Sequence, residues 1–397
     1  MIVQKYGGAT LSEPNKIKAV AERLASLSSQ GTKVVAVVSA MGQTTNQLIQ
    51  LANQVSHKPN RRELDMLLTT GERISMALVT MALHDLQCPA ISFTGSQAGI
   101  LTDSSHFNAC IQDVKATRVT EALNQGQVVV LAGFQGVFAE KREITTLGRG
   151  GSDTTAVAMA AFLQAEHCEI LKDVPAVFTA DPKLVSAAKE IPLLNYDQLL
   201  EMTFWGAKVL HYRSVELAKI KKVRLYIGPA AEKTDQGTWV EEKKEMFETT
   251  KILAINSHEN VLELSFQEGS THQALISLQK LCEKNEIAPP QILNMRTDNG
   301  GTHCFLTAAK ETLLALEKNI NTDPRVQLGS SALASVTATC TGNSSPAILT
   351  KFIAQLENNK IPTSWIFQSA MSITAIIPRS LQEKAVQSLH TMIIQDI

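Results

Sequence analysis

Residues 145–156 read TTLGRGGSDTTA, a stretch whose residue types converge on the recognition of anions. Gly148, Gly150 and Gly151 surround Arg149, and Ser152, Asp153, Thr154 and Thr155 follow at once. The Ala-rich run AVAMAAFLQA comes next and predicts a helix. A glycine-rich loop that empties into a helix start presents free backbone N–H groups, and those bind anions. Glycine permits the close backbone approach and the positive φ angles such a loop needs. Arg149 can grip a carboxylate through two parallel hydrogen bonds. Asp153 can hold a metal ion or a lysine ammonium. One loop therefore combines an anion cradle, a carboxylate clamp and an acid. A turn that merely caps a helix needs no such set.

The elements that would position this loop alternate between strand and helix. IVQKY reads as a short buried strand. PNKIKAVAERLASL follows, with Ile17, Val20, Leu24 and Leu27 at helical spacing and Pro14 in its first turn. KVVAVVSA (33–40), PAISF (89–93), QVVVLAGF (127–134), CEILKDV (168–174) and VRLYI (223–227) are further strands, and 64–86 is strongly helical. Apolar strands alternating with helices predict an α/β domain around a largely parallel sheet. A polar, charge-rich connector near 228–250 reads as a domain boundary, so this first domain is placed at 1–240.

Beyond it the pattern changes. Strands are predicted at 251–255 and 261–266, a helix at 270–285, strands at 291–296 and 302–308, and a helix at 310–320. Asp298-Asn299-Gly300-Gly301 is a good tight-turn sequence between the middle two. The cycle recurs with strands at 336–340, 362–368 and 371–377 and helices at 346–357 and 381–393. Two small α+β units of the ferredoxin-like kind, 251–330 and 331–397, are expected, and their strands could intertwine. No catalytic constellation stands out there, so this half reads as regulatory or oligomeric.

The whole chain sets outer bounds. Its 397 residues suffice for two or three domains, and 44% hydrophobic with 19% charged residues suit a globular protein. A net charge of −1 supplies no basic field for nucleic acid. Cysteines at 88, 110, 168, 282, 304 and 340 form no CxxC pair and read as reduced core residues. MIVQKYGG reads as a strand, not as a signal peptide, and no apolar stretch of membrane-spanning length is read. No membrane partner and a cytoplasmic location are the expectation.

The motifs KYGGATL (5–11), SAMGQTT (39–45), LLTTGERIS (67–75), FTGSQAG (93–99), AGFQG (132–136), TTLGRGGSDTTA (145–156), FTADP (178–182) and GAKVLHYRSVELA (206–218) occur in this order. In order and content they closely resemble the aspartokinase family, almost continuously over the first 240 residues. The resemblance implies the amino acid kinase fold followed by two ACT domains. It implies transfer of the ATP γ-phosphoryl group to the side-chain carboxylate of L-aspartate, with Mg²⁺ bridging the phosphates. A carboxylate is already ionised at neutral pH, so the difficulty is an anion approaching a polyanion. Positioning and charge neutralisation should carry the catalysis.

By the same resemblance, Lys5 and Asp153 are the catalytic pair. Lys5 would neutralise the transferring phosphoryl group, and Asp153 would organise the lysine. Arg149 would clamp a substrate carboxylate, Glu72 would pair with the ammonium, and Thr45, Gly150, Gly151 and Ser152 would add contacts. Lys5, Gly7, Gly8, Ser39, Lys172, Asp173, Phe178, Asp181, Pro182, Lys208 and Val209 would line the nucleotide site. Protein ligands to the metal are expected to be few, and none is named. A homodimer or higher homo-oligomer would form through the ACT-like domains.

The chain departs from the family in places. Pro175-Ala176 stands where the family commonly has Asp-Gly, Lys172 where a small hydroxyl residue is common, and Ala9 where Ser or Thr is usual. In the C-terminal half, Gln267–Thr271, Asn343–Ala347 and Ala370-Met371 replace the usual effector-site signatures. Three readings therefore stand: an aspartate kinase, a paralogous kinase for another amino-acid carboxylate, and a non-catalytic amino-acid-sensing subunit. The retained Lys5, Glu72, Arg149 and Asp153 favour the first.

Overall fold

The computed structural model describes residues 1–230, 236–242, 250–267, 270–285, 287–298, 301–320, 325–330 and 332–395. They fall into two compact units. The first is Met1–Val177, Glu190–Thr203 and Lys208–Glu245; the second is Phe178–Lys189, Phe204–Ala207 and Met246–Ile397.

The first unit begins with β1 (Ile2–Tyr6), α1 (Pro14–Ser29), β2 (Val34–Val38), α2 (Thr44–Val55), α3 (Arg61–Asp85) and β3 (Ala90–Phe93). It continues with β4 (Ile100–Thr102), β5 (Ile111–Val114), α4 (Thr117–Asn124), β6 (Val128–Ala132), β7 (Gln135–Phe138) and β8 (Glu143–Thr146). Then come α5 (Gly151–Leu163), β9 (Cys168–Lys172), β10 (Leu193–Leu194), α6 (Tyr196–Phe204), α7 (Tyr212–Lys221), β11 (Leu225–Pro229) and β12 (Thr238–Val240).

The main sheet has the strand order β10-β12-β11-β9-β1-β2-β6-β3. From β11 to β3 every pairing is parallel. The strands are Val-rich because both faces are covered: all five residues of β1, β2 and β6 are buried. One face packs against α1 and α3, where Leu11, Val20, Leu24, Val79 and Leu83 join Tyr6 and Val38 in one core. Helix α5 is buried through Ala160, which is why its sequence is apolar all round and not amphipathic.

Three features of this unit differ from expectation. Strands β5-β4-β7-β8 form a separate four-stranded sheet that the sequence did not announce, because these strands are only three or four residues long. The polar connector contains β12, whose Trp239 packs against Arg224, His167 and Tyr226; residues 231–235 and 243–249 of that connector lie outside the described ones. Helix α3, at 25 residues, is long and apolar enough to cross a membrane by length and composition alone. Its Asp65, Thr69, Glu72 and Ser75 are nevertheless buried within the unit.

The second unit is built on β13 (Ile252–Phe266), α8 (Thr271–Lys284), β14 (Gln291–Asp298), β15 (Gly301–Thr307), α9 (Lys310–Asn319) and β16 (Val326–Leu328). It ends with β17 (Leu333–Cys340), α10 (Pro346–Asn358), β18 (Trp365–Gln368), β19 (Ser372–Pro378) and α11 (Gln382–Gln395). The two strands expected at 251–255 and 261–266 are one. A register shift between His258 and Val261 absorbs the polar His-Glu-Asn triplet as a bulge. The first half of β13 then pairs with β17 and its second half with β15, giving one sheet in the order β14-β15-β13-β17-β19-β18.

Two of the cores lining this sheet are the largest. One holds Leu264, Phe266, Leu278, Leu306 and Leu316, the other Val336, Phe352, Ile373, Ala375 and Leu389. The sheet curls until Arg296 of β14 stacks over Trp365 of β18 at 4.4 Å. Positions 299 and 300 of the expected tight turn lie outside the described residues. All six cysteines are free, but Cys110 is exposed at the mouth of β5 and is not a core residue.

Candidate active site

Parallel strands end together, and ligands of open α/β sheets bind beyond their carboxyl ends. Here β1 ends at Lys5-Tyr6, β2 runs into Ser39, β6 into Gly133 and β9 into Lys172-Asp173. Lys5 Nζ lies 2.7 Å from Asp153 Oδ1, with side chains only 9% and 8% exposed. Asp153 sits in the first turn of α5, where the helix dipole favours a negative charge. The pair is buried, and breaking one such pair typically costs about 3 kcal/mol.

The loops around the pair are held by close backbone approach. A β-carbon at Gly8 would lie 2.7 Å from the Ala40 carbonyl oxygen. Gly42 N–H donates to Gly8 O at 2.9 Å, and Ser39 N–H to Tyr6 O at 3.1 Å. The Gly7-Gly8 turn and the Ser39–Gly42 loop thus form one surface beside the lysine. At the other side Gly150 caps α5 with φ 67°, and a β-carbon there would strike the His211 side chain. Only glycine meets both requirements.

Glu72 reaches the same end of the sheet from α3. Its Oε1 accepts from Ala40 N–H at 3.1 Å, while its buried Oε2 has no partner. Burial pushes its carboxyl up to about 7, against the lowering effect of backbone hydrogen bonds. A buried carboxylate oxygen with nothing to accept from is poised for a cationic ligand. Arg149 is exposed at the tip of its loop. It is nonetheless one of the charges that, after burial and Arg213, hold His211 below the ordinary histidine value.

Lys172 closes the constellation from β9. Burial lowers its ammonium's pKa, opposed by the charge of Asp153. It donates to the Val209 carbonyl and so ties Lys208-Val209 to the strand end. Lys5, Gly7, Gly8, Ser39, Glu72, Gly150, Gly151, Ser152, Asp153, Lys172 and Val209 are therefore linked by these elements. Thr45, half-buried, lies in the first turn of α2, just after the Ser39–Gly42 loop, and Asp173 and Lys208 are exposed. Phe178, Asp181 and Pro182 belong to the second unit. There Thr179 bonds to His390 at 2.8 Å and Ala180 and Val185 enter the core.

Residues 1–229 match the amino acid kinase family. The chain is 38% identical to an aspartokinase of Bacillus sp. (strain MGA3) over 397 residues, covering 98% of this chain and 96% of that protein. The chain belongs to the aspartokinases, within the amino acid kinase family. An aspartokinase of Mycolicibacterium smegmatis is 52% identical over 227 residues, 57% of this chain and 54% of that one. The fold is similar to that of E. coli aspartokinase III solved with aspartate and ADP, with a TM-score of 0.80 at 22% identity over 99% of this chain and 100% of that chain.

Sequence reasoning passed over several residues at this aspartokinase's site. Arg213 of α7 donates to the Leu147 carbonyl at 2.7 Å and the Ala109 carbonyl at 2.9 Å, bracing the loop that bears Arg149. His211 packs against Gly150. Both lie inside the HYRS stretch, but spacing alone does not say that α7 starts beside α5. Asp65 left a clearer signal, an acid inside an apolar helical run seven residues before Glu72.

Proposed function

We propose that this aspartokinase transfers the γ-phosphoryl group of ATP to the side-chain carboxylate of L-aspartate at the Lys5–Asp153 pair. The observation that carries this is the buried 2.7 Å ion pair at the carboxyl end of β1, beside the α5 N-terminus and the Gly7-Gly8 turn. A carboxylate oxygen of aspartate attacks the γ-phosphorus, the bond to the β,γ-bridging oxygen breaks, and ADP leaves. No proton has to move, so no general base is required. The two reacting anions must instead be held in line while their repulsion is neutralised.

Lys5 neutralises charge on the transferring phosphoryl group, and Asp153 orients the lysine. Glu72, with its free Oε2, takes the substrate ammonium. Arg149 takes a carboxylate, with Thr45, Ser152 and the N–H groups of Gly150 and Gly151 around it. Gly7, Gly8, Ser39, Lys172, Asp173, Lys208 and Val209 surround the nucleotide.

Mg²⁺ would ride on the phosphate oxygens and draw charge off them. The second unit is proposed to comprise two ACT-like halves, 251–330 and 331–397, following a catalytic domain of 1–240. They would assemble the enzyme as a homodimer or larger oligomer in the cytoplasm.

Hydroxylamine trapping tests the reaction, because it converts an acyl phosphate to a hydroxamate. Purified protein with Mg-ATP should give aspartyl hydroxamate with L-aspartate, and Lys5→Ala should give none while remaining folded. Hydroxamate from glutamate or another acid, and not from aspartate, would replace the substrate assignment.

A further inference from the structure

Among the described residues, the buried Asp, Glu and Lys side chains are Lys5, Asp65, Glu72 and Asp153. Three of them make up the proposed phosphoryl-transfer and ammonium sites. The fourth, Asp65, has no part in that reading, yet it is 0% exposed. A buried charge is costly unless it is fully bonded, so its partners show what it is for.

Asp65 Oδ1 accepts from Thr146 Oγ1 at 2.6 Å and from Phe107 N–H at 3.1 Å. Oδ2 accepts from His106 Nδ1 at 2.7 Å and shares the Phe107 N–H at 3.2 Å. His106 turns its Nε2 towards Glu143 at 3.4 Å, and Glu143 meets Arg62 Nε at 3.5 Å. Phe107 has φ 71°, a left-handed conformation that a bulky residue adopts only when its surroundings hold it there. The Asp65 carboxylate, accepting the Phe107 N–H, supplies that hold.

Thr146 is the last residue of β8 and stands three positions before Arg149. Its carbonyl accepts from Ala109 N–H at 2.8 Å, so strand end and 106–109 loop are one piece. On α3, Asp65 shares the buried face with Leu68, Thr69 and Glu72, two turns apart. One carboxylate therefore joins the helix that carries Glu72 to the strand that delivers Arg149.

We infer that Asp65 is a positioning residue which fixes the spacing between the ammonium acceptor Glu72 and the carboxylate clamp Arg149, and so the fit of the amino-acid substrate. This rests on the proposed roles of Glu72 and Arg149. Asp65 touches neither substrate. Its effect is confined to the acceptor side, because neither Lys5 nor the Gly7-Gly8 turn shares a hydrogen bond with its network.

Two variant sets test it. Asp65→Asn puts an amide N–H₂ against the N–H of either Phe107 or His106, and should raise the KM for aspartate about tenfold or more, as misplacement of binding groups by ~1 Å does. The KM for ATP should stay within about twofold. Thr146→Val removes one donor without changing shape and should act in the same direction, by about threefold, whereas Thr146→Ser, which restores the hydroxyl, should return the wild-type value. The valine and serine pair decides the matter if Asp65→Asn does not fold.

Folded Asp65→Asn or Thr146→Val with an unchanged KM for aspartate would overturn the inference. So would equal rises in both KM values, or a serine variant as impaired as the valine one. Arg149→Ala and Glu72→Gln are run beside them. If those two leave the KM for aspartate unchanged, the acceptor-site reading itself fails, a result distinct from failure of the Asp65 variants alone.

Discussion

The two units differ in which polar groups they bury. The first buries charges as well as hydroxyls and amides: Lys5, Asp65, Glu72 and Asp153 lie within it beside groups such as Thr69, Gln135 and Thr145. In the second, the buried polar side chains among the described residues are hydroxyls such as Ser335, Thr337, Ser372 and Thr374, with Asn256 and His390. Both units bury sheets of similar Val-, Ile- and Ala-rich strands, so packing does not explain the difference. Buried hydroxyls are cheap, since each can bond to a neighbouring strand or to a backbone carbonyl. Buried charges are expensive and are kept where their fields act on something. The contrast marks the first unit as the place of chemistry before any ligand is considered.

The largest effects should come from Lys5 and Asp153. Lys5→Met is expected to lower kcat by on the order of 10²–10³, the scale of removing one preorganised charge-stabilising group. It should also destabilise the first unit by about 3 kcal/mol, because Asp153 stays buried without its partner. Adding Asp153→Asn should recover most of that stability and none of the activity. Denaturant unfolding and hydroxamate formation read the two separately. Recovery of activity in the double variant, or no stability change in the single one, would mean that the buried pair is ordinary structure.

Glu72 gives the next effect, and its pH dependence has a definite sign. Its folded-state pKa is raised to about 7 by burial. Stability from the protonated form is thus full below the unfolded carboxylate value and is lost as pH rises through about 7. Binding an ammonium needs the ionised form, so the KM for aspartate should fall as pH is raised from 6 to 8. Glu72→Gln should raise that KM roughly tenfold, an ion pair's worth of ~1.4 kcal/mol, and flatten its pH profile. The variant should also be no less stable than wild type at pH 8. A KM that is flat in wild type across this range would remove Glu72 from the ammonium site.

His390 tests the other unit by the same logic. Burial, and then the charge of Lys189, lower its pKa. The folded state prefers the neutral ring, so stability is complete above the ordinary histidine value of about 6.5 and is lost as pH falls towards the lowered one. Its bond to Thr179 at 2.8 Å holds the Phe178–Lys189 segment in the second unit, with Lys189 N–H donating to the same hydroxyl at 2.9 Å. His390→Gln is expected to cost about 1 kcal/mol at pH 8 and to weaken the acid-side loss seen by thermal unfolding. A steeper acid loss in the variant would show that His390 is charged when folded.

Much of this was legible in the sequence, for physical reasons that can be named. β2 and β6 are runs of apolar residues buried on both faces, which leave an unmistakable pattern, and β1 and β9 carry enough apolar residues to be read beside them. The Arg149 loop and Asp153 were legible because Gly-rich loops before helices have few other uses. The β4, β5, β7 and β8 strands were not, since three or four residues give periodicity no room to show. Nor was the continuity of β13, because a bulge that tolerates His258-Glu259-Asn260 looks like a turn. Asp65 and Arg213 were missed for another reason. Their partners, Thr146 and Leu147, are 81 and 66 residues away along the chain, a separation that local pattern cannot bridge.

The smallest effect should be found where the second unit buries a neutral pair. Thr337 of β17 and Thr374 of β19 face each other across the sheet, and their hydroxyls bond at 2.8 Å. Replacing either one by Val strands the other hydroxyl in the core and should cost about 1–2 kcal/mol. Replacing both keeps the shape and leaves nothing unpaired, so the double valine variant should unfold within about 1 kcal/mol of wild type. It should also keep full aspartate kinase activity. The Lys5–Asp153 pair, given the same double neutralisation, regains stability and stays inactive. A Thr337→Val/Thr374→Val protein that folds but has lost activity would break the contrast, since it would show that a neutral hydroxyl pair in the second unit acts on the chemistry of the first.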